Sequence, residues 1–327
     1  MIRRREFITL LGGASITWPL AAQAQQPAMP VIGYLSPGSA ESDVARLTGV
    51  RQGLKESGYV EGQNVAIEYR FAHGQNDRLP ALAADLVDRR VAGMVTVGTP
   101  ATLAARAATT TIPIVFYIAV DPVQFGLAAS LSRPGGNLTG VGALSVDLAA
   151  KKLEVLHELL PDAAVVAMLV NPTNPISEPE SRAALDAAES LRIQLHIFRA
   201  STSGEIDAAF ASLVKLRARA LVVDDDPYFL DQRAHVMALA AGYAVPTISG
   251  WREFPVAGGL MSYGGDRADA YRQVGLYVGK ILKGIRPADL PVQQAVKIEM
   301  VVNLKTAKTL GITFPLPLIG RADEVIE

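Results

Sequence analysis

Val31-Ile32-Gly33-Tyr34-Leu35, closed by Ser36-Pro37-Gly38-Ser39, is the stretch on which the fold turns. A short run without charges, ended by a Ser-Pro-Gly-Ser cluster, reads as a strand buried on both faces and stopped by a turn. Beyond it, Val44, Leu47, Val50 and Leu54 recur on one helix face, and Gly58 stands where a helix-ending glycine belongs. The same unit then repeats. Val65–Phe71 alternates as a strand, 79–89 is helical, and Gly93–Val97 is a strand ending at Gly98-Thr99-Pro100. A helix over 101–108 leads to the strand Ile114–Ile118, and 122–131 is expected to hold a short helix. Strands alternating with helices predict an α/β fold with a parallel sheet covered on both faces.

Pro134-Gly135-Gly136-Asn137 is the strongest turn signal in the chain, and the alternation starts afresh after it. Helices are expected over 151–160, 181–191, 205–214 and 230–241, with strands at 165–170, 193–198, 220–223 and 246–249 between and after them. The second half thus repeats the architecture of the first, which predicts two doubly wound parallel-sheet lobes. The tail differs: a short strand at 259–263, a long helix over 267–283, an extended stretch over 291–302 and a last helix before Gly311. If each lobe takes part of this tail, several strands cross between them and form a multi-strand hinge that bends as the lobes close.

The N-terminus carries an address. Arg3-Arg4-Arg5, an apolar run from Phe7 to Leu20 and the small residues of Ala22-Gln23-Ala24 form the layout of a secretory signal, residues 1–24, cleaved near Ala24. Arg4-Arg5-Glu6-Phe7-Ile8 is similar to a twin-arginine export signal. The apolar run is shorter than the about 20 residues that span a bilayer. Cysteine is absent, so disulfides and lipid attachment through a thiol are excluded. The expectation is a periplasmic protein of a two-membrane bacterium. With 31 Lys and Arg against 32 Asp and Glu, no charge excess points to nucleic acid or a membrane surface.

Catalytic motifs are missing. No phosphate-binding Gly-rich loop, zinc-binding H-E-x-x-H or nucleophile elbow occurs, and His73, His157, His196 and His235 show no metal-ligand spacing. No cofactor, metal or catalytic residue is expected. Asp224-Asp225-Asp226 is the one dense carboxylate cluster: it can hold a metal, cap the helix after Pro227 with a second carboxylate solvated, or meet an amino group on a ligand. Ligands of open parallel sheets bind beyond the carboxyl ends of strands. Here those ends read Ser36-Pro37-Gly38-Ser39, Gly98-Thr99-Pro100, Asp121-Pro122, Asn171-Pro172 and Asp226-Pro227, with Tyr34, Tyr117, Tyr228, Trp251 and Tyr263 near them as possible aromatic walls or as packing.

Arg133-Pro134-Gly135-Gly136-Asn137-Leu138-Thr139-Gly140, Gly259-Leu260-Met261-Ser262-Tyr263-Gly264 and Asn303-Leu304-Lys305-Thr306-Ala307-Lys308, with the leader and the ending Arg321–Glu327, resemble the ABC transporter substrate-binding protein family of tryptophan and tyrosine uptake receptors. The resemblance runs end to end. It implies a type I periplasmic binding fold with a first lobe of 30–138 plus 258–290, a second of 140–257 plus 291–303, and a C-terminal extension, 304–327. It further implies that Ser36, Ser39, Thr99 and Asp121 contact a small-molecule ligand from the first lobe, that Asn171 and Asp226 face them, and that Tyr263 sits near the hinge. Hydroxyls and N–H groups at Ser36 and Thr99 would serve an amino acid's carboxylate, and Asp226 or Asp121 its ammonium. The implied partner is an inner-membrane ABC permease, met by a monomer. The rival readings are an exported hydrolase using Asp224–Asp226 and a ligand sensor for a signalling receptor.

Overall fold

The computed structural model describes residues 29–327 except Leu144 and Val296; the expected leader lies outside the described residues. The strands are β1 (Val31–Ser36), β2 (Ala66–Phe71), β3 (Gly93–Val97), β4 (Ile114–Ile118), β5 (Leu138–Gly142), β6 (Val165–Val170), β7 (Gln194–Arg199), β8 (Leu221–Val223), β9 (Thr247–Ser249), β10 (Met261–Gly265), β11 (Gln293–Gln294), β12 (Ile298–Asn303) and β13 (Glu324–Ile326). They form two sheets, ordered β11-β5-β4-β3-β1-β2 and β13-β12-β10-β9-β8-β6-β7. Every pairing is parallel except β10 with β12.

The central strands β3 and β8 are buried throughout, whereas β2 and β7 at the edges are only half-covered. This is why the former read as unbroken apolar runs and the latter as alternating ones. Each sheet has an apolar cluster on both faces. Leu35, Phe116 and Leu86 lie on one side of the first sheet and Tyr34, Val95 and Val274 on the other. Val166, Met168 and Val222 lie on one side of the second, and Leu169, Phe210 and Phe229 on the other.

The tail departs from the expected lobe boundaries. The segment 258–290 is expected whole in the first lobe, but its strand β10 belongs to the second sheet, paired with β9 and β12. Only the helix Arg267–Leu282 returns to the first lobe, where Ala270, Tyr271 and Val274 join its core. Conversely, β11, expected in the second lobe, extends the first sheet beside β5. β5 itself runs to Gly142 in the first sheet, past the expected start of the second lobe at 140. The chain therefore crosses between sheets three times: after β5, after β10 and between β11 and β12. The C-terminal residues add β13 to the edge of the second sheet and bury Phe314 and Leu318 in its core. The helix expected within 122–131 is a series of turns, because Asp121 Oδ1 accepts from the N–H groups of Val123 and Gln124 and Gly126 turns to a positive φ.

One packing contact sets the geometry of the cleft. The helix Val44–Glu56 crosses Arg267–Leu282 backbone to backbone: a Cβ on Gly53 would stand 2.0 Å from the Arg272 carbonyl, and one on Gly275 would stand 2.2 Å from that of Val50. Only glycine permits this approach, and it brings Arg46 and Arg267, far apart in sequence, to the same end of the first sheet.

Candidate ligand site between the lobes

The carboxyl ends of β3 and β4 face those of β6, β8 and β9 across a narrow cavity of about 30 Å³. Its walls are Thr99 and Tyr117 from the first sheet, Arg46, Arg267 and Tyr271 from the crossed helices, and Asn174, Asp225 and Trp251 from the second lobe. Thr99 is there because Val97 ends β3 and the helix Gly98–Ala108 starts at once, with Gly98 at φ +76° making the corner. The first backbone N–H groups of that helix are therefore directed at the cavity end of the sheet.

Three buried donor atoms on the lining residues have no hydrogen-bond partner: Arg46 Nε, Arg267 Nη1 and Thr99 Oγ1. Buried polar atoms are satisfied in native proteins, so three orphans around one cavity call for an anionic or acceptor group in it. Both guanidiniums are charged. Arg46 is 2% exposed and paired with Asp43, which also accepts 2.7 Å from the Tyr34 hydroxyl. Burial works against that charge, but Asp43 together with the Tyr271 and Tyr34 hydroxyls more than offsets it. Arg267 pairs with Glu253 of the second lobe, and the two guanidinium carbons lie 4.3 Å (Arg267) and 5.5 Å (Arg46) from the Trp251 ring centre. Tyr117 and Tyr271, with ring centres 4.8 Å apart, form the aromatic wall, and burial pushes the Tyr117 phenol up to about 12, so it stays a neutral donor.

Asp225 supplies the opposite charge. Its Oδ1 accepts from Gly250 N–H at 2.8 Å and lies 3.1 Å from the Lys152 ammonium, which is fully buried below. The carboxylate lies flat against Gly250, where a Cβ would stand 2.2 Å from Oδ2. Its neighbours in the triplet are turned away from the cavity. Asp226 caps the helix after Pro227 through Tyr228 N–H at 2.8 Å and accepts from Asn171 and Asn174 at 3.0 and 2.7 Å; burial pushes its carboxyl up to about 6. Asp224 is fully buried beside Glu180, whose two oxygens have no hydrogen-bond partner, and burial raises both carboxyls.

Of the residues expected at the site, Thr99 alone lines this cavity. Ser36 is buried and accepts from Gly38 N–H, and Ser39 donates 3.1 Å to Asp231 of the other lobe. Asn171 and Asp226 bond each other behind the wall, and Tyr263 packs on the second-lobe core. Asp121 borders a larger space, about 240 Å³, beside the crossovers; none of the orphan donors faces it. The expectation that one member of the triplet is solvated does not hold, since all three are buried. Arg46, Arg267, Asn174 and Tyr271 carried no sequence signal, and Asp225 was one of three identical neighbours. Among the described residues, no group of three or more His, Asp or Glu side chains is arranged to hold a metal.

The lobes are in contact across the cleft. Besides Ser39–Asp231, Asn76 Nδ2 donates 3.0 Å to Thr173 Oγ1, and Ile176 packs into the first-lobe core.

Comparison with known proteins agrees with this architecture. The family model described as ABC transporter substrate binding protein matches residues 32–326. A "Tyrosine-binding protein" of Clostridioides difficile (strain R20291) is 28% identical over 263 residues, 80% of this chain and 75% of the relative. A crystal structure from Streptococcus pneumonia, described as an ABC domain in complex with L-Trp, is 26% identical, covers 91% of this chain and 99% of its own, and superimposes with a TM-score of 0.82. The ligand-free, open structure of a substrate binding protein with adhesive properties from Clostridium difficile has the same coverage and 25% identity, but a TM-score of only 0.64.

Proposed function

Because the chain belongs to the ABC transporter substrate-binding protein family, we propose that it captures an aromatic α-amino acid between its lobes and hands it unchanged to an ABC permease. The observation that carries this reading is the charge layout of one cavity. Unpaired donors on Arg46, Arg267 and Thr99 suit a carboxylate, Asp225 opposite them suits an ammonium, and Tyr117, Tyr271 and Trp251 suit a ring. The names of the tyrosine-binding relative and of the tryptophan complex favour the same ligand class. Binding holds the lobes together, and release at the permease reopens them about the three crossovers. The leader 1–24 directs export and is cleaved near Ala24, leaving a periplasmic monomer; among the described residues no helix is long and apolar enough to cross a membrane.

The test uses the chain without residues 1–24. Trp251 is then its one tryptophan, since the other is Trp18. L-tyrosine and L-tryptophan should raise Tm, as any ligand specific to the folded state must, and L-tyrosine should change Trp251 emission excited beyond the tyrosine band. A screen of all common amino acids that leaves Tm unmoved, or recovery of a chemically altered ligand, sinks the reading.

A further inference from the structure

Lys152 lies one layer beneath the cavity, in the helix Ser145–Leu159, with its side chain fully buried. A buried ammonium needs a reason. Its nearest carboxylate oxygen is Asp225 Oδ1 at 3.1 Å, and the contact is an ion pair rather than an aligned hydrogen bond. Gly250 N–H takes the same oxygen at 2.8 Å. The hydrogen bond and the ion pair both fall on Oδ1, which leaves Oδ2 as the open acceptor of the one triplet carboxylate that lines the cavity. The other groups facing this carboxylate are the Glu180–Asp224 pair below it and Tyr117, Arg46 and Arg267 among the cavity walls.

We propose that Lys152, which never touches the ligand, is the positioning residue that anchors Asp225 through Oδ1 and keeps its free oxygen turned to the ligand's ammonium, so that the protein's preference for amino acids over plain carboxylic acids is set from behind the wall. The inference rests on the amino-acid reading above and adds a residue outside the cavity to it. Without the ammonium, one of the two groups that hold Oδ1 is gone, and Gly250 N–H alone is left to fix how the carboxylate faces the cavity.

The experiment compares L-tyrosine with 3-(4-hydroxyphenyl)propionate, the same molecule without its amino group, by calorimetric titration from pH 6 to 8. The wild type should prefer tyrosine by about 100-fold, with little dependence on pH. Lys152→Met should reduce that preference below tenfold while leaving the affinity for the propionate within threefold. Lys152→Gln keeps a donor of similar reach without the charge and should lose the preference in the same way. A wild type that binds tyrosine and the propionate equally removes Asp225 from ammonium recognition and overturns the proposal. So does either variant retaining the full preference, or both failing to fold, which makes Lys152 a structural counter-ion only. A wild type that binds neither compound overturns the amino-acid reading itself.

Discussion

The two faces of the cleft are built alike and charged oppositely. The first lobe buries an arginine with one aspartate, Arg46 with Asp43, and exposes guanidinium and hydroxyl donors to the cavity. The second buries one lysine among acids, Lys152 with Asp225, Glu180 and Asp224, and exposes a carboxylate. The difference matters because the two clusters respond to damage differently. Carboxyl groups that lose a cation can take up protons, whereas an arginine that loses its partner cannot shed one. Asp43→Ala should therefore be the most damaging change, about 3–5 kcal/mol of stability, the cost of an uncompensated buried charge. Lys152→Met should cost clearly less. Urea unfolding of the two variants side by side checks the order, and equal losses would break the contrast between the lobes.

The acid-rich face also predicts a pH dependence that the first lobe does not share. Burial raises the carboxyl of Asp226 to about 6, and raises Asp224 and Glu180 as well. A carboxyl whose folded pKa lies above its unfolded value stabilises the fold fully below the unfolded value, near 4, and loses that contribution as pH rises through the folded value. For Asp226 the difference amounts to about 3 kcal/mol at most. The unliganded protein should thus gain stability as pH falls from 7.5 to 5, before Asp266 and Glu253, both held low, begin to lose their charge. Asp226→Asn should flatten the slope and cost about 1–2 kcal/mol throughout, since an amide cannot accept from both Asn171 and Asn174. Chemical denaturation at four pH values reads both effects; a steeper slope in the variant would reverse the sign assigned here.

The same asymmetry explains what could be read from the sequence. Strands buried on both faces announce themselves, which is why β1, β3, β4 and β6 lie where the apolar runs place them. Which sheet a strand joins is not a local property: β10 and β11 went to the opposite lobes from those expected, because nothing in five residues records the crossover before or after them. Thr99 was legible because a turn at a strand end fixes it. Arg46 and Arg267 look like solvent-facing helix positions, and only the glycine-mediated crossing of their helices turns them inward. Asp225 was hidden in plain view: three identical residues carry one pattern, and the choice among cap, buried neighbour of Glu180 and cavity wall is made by Tyr228 N–H, Glu180 and Gly250.

The smallest effect expected lies at the lip of the cleft, where the lobes touch without ligand. Ser39 Oγ donates 3.1 Å to Asp231 Oδ1, a half-buried bond that exists only while the lobes are together. Burial raises the Asp231 carboxyl, and the Ser39 and Ser42 hydroxyls oppose that rise, so the contact favours the charged form. Ser39→Ala removes one charge-assisted donor from the closed state only, whereas the bond Ser39 Oγ accepts from Ser42 N–H lies within the first lobe and is lost from both states alike; a bond of the first kind at a partly wet site contributes about 1 kcal/mol. Ligand affinity should fall about fivefold, through faster release rather than slower capture, because the bond forms after the ligand is enclosed. Stopped-flow of the Trp251 signal separates the two rates. A change confined to the association rate would mean that the lip closes before the ligand is held, and the order of events would have to be reversed.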